Sequence, residues 1–248
     1  MPATDPPGQL LGTGRSADVY AIGEDRVLRR YRVPIDAAAE ARLMRHLAAA
    51  GFPVPTVYEA AGHDLVMERL DGRDMLADLG QRPWRIPRHA RMLADLHNRL
   101  HEITAPPGWP PAVAPDGTVL SAGGDKVLHM DLHPGNVMLT SRGPVVIDWT
   151  GARAGAPGAD VALAYLIMAT ADVDLIPVLL RPIIRLLRAA FFRSFIGAVR
   201  DSPWPHIAGA ARVRIADRNT RPAEAERLAR LAKHADRAGP AGSAGPAG

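Results

Sequence analysis

Residues 127–149 constrain the fold more than any other stretch of the chain. They read Val-Leu-His129-Met-Asp131-Leu-His-Pro-Gly-Asn136-Val-Met-Leu-Thr-Ser-Arg-Gly-Pro-Val-Val-Ile147-Asp148-Trp149. Two short apolar segments, 137–139 and 145–147, flank the turn residues Ser141, Arg142, Gly143 and Pro144, which is the pattern of a β-hairpin with polar residues at its outer ends. A hairpin brings its ends together, so Asp131 and Asn136 fall at the mouth of the first strand and Asp148 at the exit of the second. Three oxygen-bearing side chains converging in this way suit a hard cation such as Mg2+, held by one or two carboxylates together with substrate phosphates. Asp131 is the member left over for acid/base work. Turn formation alone accounts for any one of Asp131, Pro134, Gly135 and Asn136, but not for the whole set between two apolar strands.

The order His-x-Asp-x-x-x-x-Asn, an apolar strand and then Asp is the catalytic-loop and metal-site arrangement of the protein-kinase-like fold. The spelling from His129 to Asn136, with Ile147-Asp148-Trp149, resembles the aminoglycoside phosphotransferase and choline kinase branch of that fold; protein kinases write His-Arg-Asp and Asp-Phe-Gly. The resemblance extends, more weakly, over residues 11–165 or so. It implies an α+β bilobal fold, with a small antiparallel-sheet lobe bearing one helix and a larger, mainly helical lobe. It also implies ATP and Mg2+ as cofactors and a small hydroxyl-bearing substrate. The expected organisation is a flexible N-terminus at 1–8, a nucleotide-binding N-lobe at 9–68, a catalytic and acceptor-binding C-lobe at 69–237 and a disordered tail at 238–248.

The chain has 248 residues, 47% of them apolar, enough to bury a core as one domain or as one domain in two lobes. It has no cysteine, which excludes a disulfide framework and a thiolate metal site and is compatible with a reducing interior. The start, Met-Pro-Ala-Thr-Asp-Pro-Pro, has neither a basic region nor an apolar run, so no export signal is expected. The apolar run 161–171 is too short to cross a bilayer and is closed by Asp172 and Asp174. The expectation is a cytoplasmic protein without a membrane partner. A net charge of +4 could suggest nucleic acid, but the arginines are spread along the chain and only 5% of residues are aromatic, so that partner is not expected either.

On the nucleotide side, residues 10–31 read as three strands joined by turns. Gly12 and Gly14 let the backbone approach a phosphate and point N–H groups at it, and Ser16 adds a hydroxyl. Where the kinase pattern has a third glycine this chain has Ala17. In the third strand alternation puts Val27, Arg29 and Tyr31 on one face and Leu28 and Arg30 on the other, without saying which faces inward. Matching to the family's Val-Leu-Lys picks Arg29 as the cation that holds the α- and β-phosphates, with arginine in place of the usual lysine. Residues 36–50 read as a helix that starts at Asp36 and stops at Gly51. Glu40 lies on its apolar stripe with Leu43, Met44 and Leu47, and a carboxylate buried there needs a cationic partner, for which Arg29 is the candidate.

Two further strands are expected at 56–60 and 64–67. By resemblance the break that follows is a hinge, where backbone groups near Glu68 and Leu70 read the adenine edge. Residues 88–103 read as a core helix carrying His97 as a hydrogen-bonded core residue, with His101 at the surface. Residues 105–126 hold five prolines and four glycines, an irregular loop suited to bordering an acceptor site. Asp160 matches the family aspartate that braces the catalytic loop, and is also placed to cap a helix. Only eleven residues separate Asp148 from Asp160, too few for the activation segment of peptide kinases. Residues 175–199 read as a packed helix and 221–237 as a charged one.

The pattern and the resemblance together imply Asp131 for proton abstraction, Asn136 and Asp148 for Mg2+, and Gly12, Gly14, Ser16, Arg29, Glu40, Glu68 and Leu70 for the nucleotide, with Arg29, Glu68 and Leu70 resting on the resemblance. The competing expectation is a catalytically silent nucleotide-binding module, supported only by arginine at position 29.

Overall fold

The computed structural model describes residues 8–14, 16–33, 35–113, 117, 120, 124–171, 177–217 and 220–238. The expectations for the first seven residues and for the tail beyond Ala238 fall outside them. In chain order the elements begin with β1 (Leu10–Thr13), β2 (Ala17–Ile22), β3 (Arg26–Tyr31), α1 (Ala37–Ala49), β4 (Val57–Ala61), β5 (Asp64–Glu68) and β6 (Arg73–Asp74). Next come α2 (Met75–Gln81), α3 (Ile86–Leu100), β7 (Lys126–Leu128), β8 (Val137–Thr140), β9 (Gly143–Val146) and β10 (Arg153–Gly155). The chain closes with α4 (Pro157–Thr170), α5 (Arg181–Ile196), α6 (Ile207–Ala216) and α7 (Pro222–Ala238). This α+β content, an antiparallel sheet first and helices after, is the class expected.

Two compact units form, one from 1–75 with 135–150 and the other from 76–134 with 151–248. The division departs from a single boundary after residue 68. β6 pairs with β8, and the Val146 N–H donates to the Pro53 carbonyl at 2.9 Å, so the 137–146 hairpin packs with the N-terminal segment.

In the first unit an antiparallel sheet of order β1-β2-β3-β5-β4 carries α1. Asp36 caps α1 by accepting the Ala38 N–H at 2.9 Å, and Leu43, Met44 and Leu47 are buried, as the apolar stripe requires. On β3, Val27, Leu28, Arg29 and Tyr31 are all buried and Arg30 is only half-covered, which settles the inward face. Gly143 and Pro144, expected in a turn, open β9 instead, opposite Thr140 and Leu139. β9 is an edge strand, where a proline is tolerated.

In the second unit β7 and β10 pair antiparallel. α4 is buried on nearly every face: Leu163 and Leu166 pack with Ile207, Ala210, Ala211 and Leu228 from α6 and α7. Three expectations are corrected here. His101 is buried at the end of α3 rather than exposed, because carboxylates flank its ring. Asp160 lies in the first turn of α4, whose cap is Ala156, so it is not the cap. The helix expected at 175–199 is α5, and only its second half packs: Phe191 and Phe195 are buried, whereas Leu186 is 71% exposed and Ile183 54%. α2, α6 and β10 had no counterpart in the sequence reading.

Gly72 has a φ of +90° and a Cβ built there would lie 2.1 Å from the Leu139 carbonyl oxygen; Gly23 has a φ of +63° with open space around it. Gly23→Ala should therefore cost about 1 kcal/mol for left-handed backbone alone, and Gly72→Ala at least about twice that because β6 must shift away from β8. Denaturant unfolding of the two variants measures the difference, and equal losses would contradict the close approach.

Candidate active site

Arg29 sits in the middle of β3, between Val19 of β2 and Leu65 of β5, so the sheet fixes its backbone on both sides. Its guanidinium forks. One nitrogen lies 3.4 Å from Glu40 Oε1 on α1, and the other donates to Asp148 Oδ1, just beyond β9, at 2.5 Å. The guanidinium also lies over the Tyr31 ring, 5.0 Å from its centroid. Burial works against the charge on Arg29, yet the carboxylates of Asp148 and Glu40 outweigh it and hold its pKa above the ordinary value.

Glu40 is only 4% exposed. Besides Arg29, its carboxylate accepts the Tyr31 hydroxyl and, at 3.1 Å, the Trp149 N–H. Burial pushes its pKa up, against the pull of Arg29 and the Tyr31 hydrogen bond. Burial likewise raises the Tyr31 phenol, which stays a proton donor at every physiological pH. Tyr31 and the Trp149 amide escaped the sequence reading. Tyr31 was legible in principle, since it stands two residues from Arg29 on the same strand face; the Trp149 contact arises from pairing 109 positions apart and has no local signal.

Asp148 holds a left-handed backbone, φ +68°, and its Oδ1 also accepts the Thr150 hydroxyl at 3.0 Å. Across the hairpin end, the Ile147 N–H donates to the Asn136 carbonyl at 3.0 Å, the rung that sets Asn136 beside the strand leading to Asp148. Both side chains carry oxygen donors of the kind a hard divalent cation takes, and the Asp148 side chain is 39% exposed with its Oδ1 already paired with Arg29.

The glycine turn between β1 and β2 is tight: the Gly14 N–H donates to the Ala17 carbonyl at 2.8 Å. Arg32 ties it from beneath, donating to the Gly14 carbonyl and pairing with Asp18, while its N–H donates to the Ser16 carbonyl at 2.8 Å. At the end of β5, the Glu68 N–H donates to the Thr56 carbonyl and the following Arg69 N–H to the Asp25 carbonyl, each at 2.8 Å. The Glu68 carboxylate accepts the Thr56 N–H and pairs with Arg142, and Leu70 is half-buried.

Asp131 belongs to the second unit. Its N–H donates to Nδ1 of the buried His129 at 3.3 Å, and its carboxylate lies 3.8 Å from His133 Nε2. The backbone before it is held by Asp160, which accepts the His129 N–H at 3.0 Å and the Met130 N–H at 2.7 Å. His97 Nε2 lies 3.3 Å from the Leu132 carbonyl, so His97 is the hydrogen-bonded core residue expected.

Among solved structures, the aminoglycoside phosphotransferase APH(4)-Ia is similar to this chain with a TM-score of 0.61 and 16% identity, over 93% of each chain. A choline/ethanolamine kinase family protein from Mesorhizobium loti gives 0.54 and 15%, covering 98% of this chain and 91% of that one. The amicoumacin kinase hAmiN, solved with AMP-PNP, Ca2+ and Ami, gives 0.53 and 14%, over 94% and 88%. At such identities the likeness is one of fold. No curated protein sequence matches. The model of the phosphotransferase enzyme family, APH, matches residues 8–122 and 119–192. With the greater part of its length so matched, and with that fold, the chain belongs to the phosphotransferase enzyme family.

Proposed function

We propose that this small-molecule phosphotransferase carries the γ-phosphate of ATP to a hydroxyl, with Asp131 as the base and Arg29 as the phosphate-holding cation. The observation that carries the reading is the fork of Arg29 between Glu40 and Asp148. A guanidinium fixed by two carboxylates on different elements is pre-aimed, and phosphoryl transfer depends almost wholly on positioning and charge stabilisation. The neighbour complexes with AMP-PNP and hygromycin B support a nucleotide donor and a small acceptor.

In this reading the Gly12–Ser16 turn covers the phosphates with backbone N–H groups, and Arg29, aligned by Glu40, steadies the α- and β-phosphates. Glu68 and Leu70 border the base. The N–H groups of Glu68 and Arg69 are already spent within the sheet and its turns, so the adenine edge falls to other backbone groups of the 68–70 segment. Asn136 and Asp148 would hold Mg2+, which when bound neutralises charge on the phosphate oxygens. Asp131 orients the acceptor hydroxyl and takes its proton as the oxygen bonds to the γ-phosphorus, the bond to the β-phosphate oxygen breaks, and ADP leaves. His129 buttresses the loop from within.

Acceptor pockets for polycations are lined by acidic side chains. From residue 151 onward this chain has fourteen arginines and lysines against eight aspartates and glutamates, so a neutral or anionic alcohol is the acceptor class to try first. The catalytically silent alternative drew only on arginine at 29, and the pairing of Arg29 with both carboxylates favours the active reading.

Asp131→Ala should abolish ATP consumption against a panel of hydroxyl compounds while ATP with Mg2+ still raises the melting temperature; full turnover in that variant removes the base assignment. Glu40→Gln should raise KM for ATP roughly tenfold, about 1.4 kcal/mol, with a smaller change in kcat. An unchanged KM would detach Glu40 from the nucleotide.

A further inference from the structure

A cluster of buried titratable side chains outside the residues assigned above, His97, His101 and Asp160, meets where α3 ends. His101 is buried there with a carboxylate at each ring nitrogen: Nδ1 lies 3.3 Å from Asp201 Oδ2 and Nε2 lies 3.2 Å from Asp160 Oδ2. A neutral imidazole has one N–H and one lone pair, so it would aim its lone pair at one of these carboxylates; only the imidazolium donates to both. Asp160 is also the acceptor for the His129 and Met130 amides that precede Asp131.

We propose that His101 is a positioning residue: as an imidazolium clamped between Asp160 and Asp201, it supplies the buried counter-charge that keeps Asp160 ionised and thereby fixes the backbone leading to Asp131. The consequence for turnover rests on the role given to Asp131, whereas the charge arrangement stands by itself.

The neighbouring groups leave the task to His101. From α3, one turn earlier, His97 packs its ring 5.5 Å from that of His101. Burial brings the His97 pKa down to about 4, so it is neutral near pH 7. With Nε2 facing the Leu132 carbonyl as donor, its Nδ1 is a buried lone pair, unpartnered among the described residues and 3.8 Å from Asp160 Oδ2, which it cannot satisfy. From the loop, His129 uses Nδ1 to accept the Asp131 N–H. From α5 comes Phe195, which is apolar and meets the ring of His97. Beyond α5, Arg200 pairs with Glu102 at 2.5 Å. Burial opposes a charge on His101, and the hydrogen bonds to Asp160 and Asp201 outweigh it, raising its pKa above the ordinary 6.5. Burial would raise Asp160, yet the bond from His101 holds it far below the carboxylate range, and the same ring lowers Asp201.

The signs follow. With its folded pKa raised, His101 contributes stability in full below pH 6.5 and loses it as pH climbs through the raised value. Asp160 and Asp201, with lowered values, contribute above the ordinary carboxylate range and lose it on strong acidification. The loop is therefore held best on the plateau between. A metal ion would compete for the same place, because donor atoms of His97, His101 and Asp160 lie within 4.8 Å of one another. It would require His101 Nε2 as a lone pair rather than a donor, which makes the two arrangements exclusive.

The test is an NMR pH titration of the full chain with 15N-labelled histidine and backbone. The His101 ring should stay doubly protonated above pH 6.5, and the His129 and Met130 amide resonances should titrate in step with it. Asp201→Asn, a change at a partly exposed carboxylate that leaves the core intact, should lower the His101 pKa by about one pH unit. In His101→Gln with Asp201→Asn, the glutamine amide donates to Asp160 and its carbonyl accepts from the asparagine. That pair should keep the loop amides protected from exchange while removing their pH dependence, and the alkaline limb of ATP consumption should flatten with it. A neutral His101 at pH 6, loop amides that ignore its titration, or an equivalent of zinc in the purified protein by elemental analysis would each overturn the proposal. Absence of ATP consumption by the unmodified protein would instead sink the phosphotransfer assignment and leave the NMR readouts to decide this one.

Discussion

A carboxylate removed from water must be given donors, and each compact unit of this chain is arranged around one that is. In the first, Glu40 gathers Arg29, the Tyr31 hydroxyl and the Trp149 N–H. Without those donors α1 could not seat its apolar stripe on the sheet, because the same face that buries Leu43 and Leu47 would bury a bare charge. In the second, Asp160 takes the His129 and Met130 amides and the His101 ring. Both therefore anchor main chain immediately beside a residue of the candidate site, Trp149 following Asp148 and His129 with Met130 preceding Asp131.

The same bonds explain two unusual backbones. Among the described residues, Met130 and Asp148 are the non-glycine residues with positive φ, +69° and +68°. Left-handed backbone disfavours such side chains by on the order of 1–2 kcal/mol. At Met130 the N–H is locked to Asp160, and at Asp148 the next N–H is locked to Glu40, so in each case a charge-assisted hydrogen bond offsets the strain. Strained turns of this kind aim a side chain where a relaxed turn would not.

Much of this was legible beforehand because it is local. The 137–146 hairpin, α1 with its Asp36 cap and the glycine turn follow from alternation and capping; the need of a cation beside Glu40 follows from the cost of burying a carboxylate, and Arg29 as that cation follows from the family resemblance. What was missed depends on distant partners. His101 carries no sign of burial in its own helix: its neighbours Glu102 and Arg99 are those of a surface turn, and only Asp160 and Asp201, up to 100 positions away, draw it in. α5 misled in the opposite direction. Its leucines and isoleucines suggested burial all round, yet packing reaches only the turns that carry Phe191 and Phe195. α2, α6 and β10 are short, and none carries a periodic signal long enough to separate it from loop.

The guanidinium at position 29 has a chemical corollary. An arginine in a protein keeps its proton at any working pH, whereas a lysine amine loses it readily when desolvated and becomes a nucleophile. The only lysines of the whole sequence are Lys126 and Lys233, on β7 and α7. Amine-acylating reagents would find no ε-amino group on β3 of this chain. Vicinal dicarbonyl reagents, which condense with guanidinium groups, are the labelling chemistry matched to position 29.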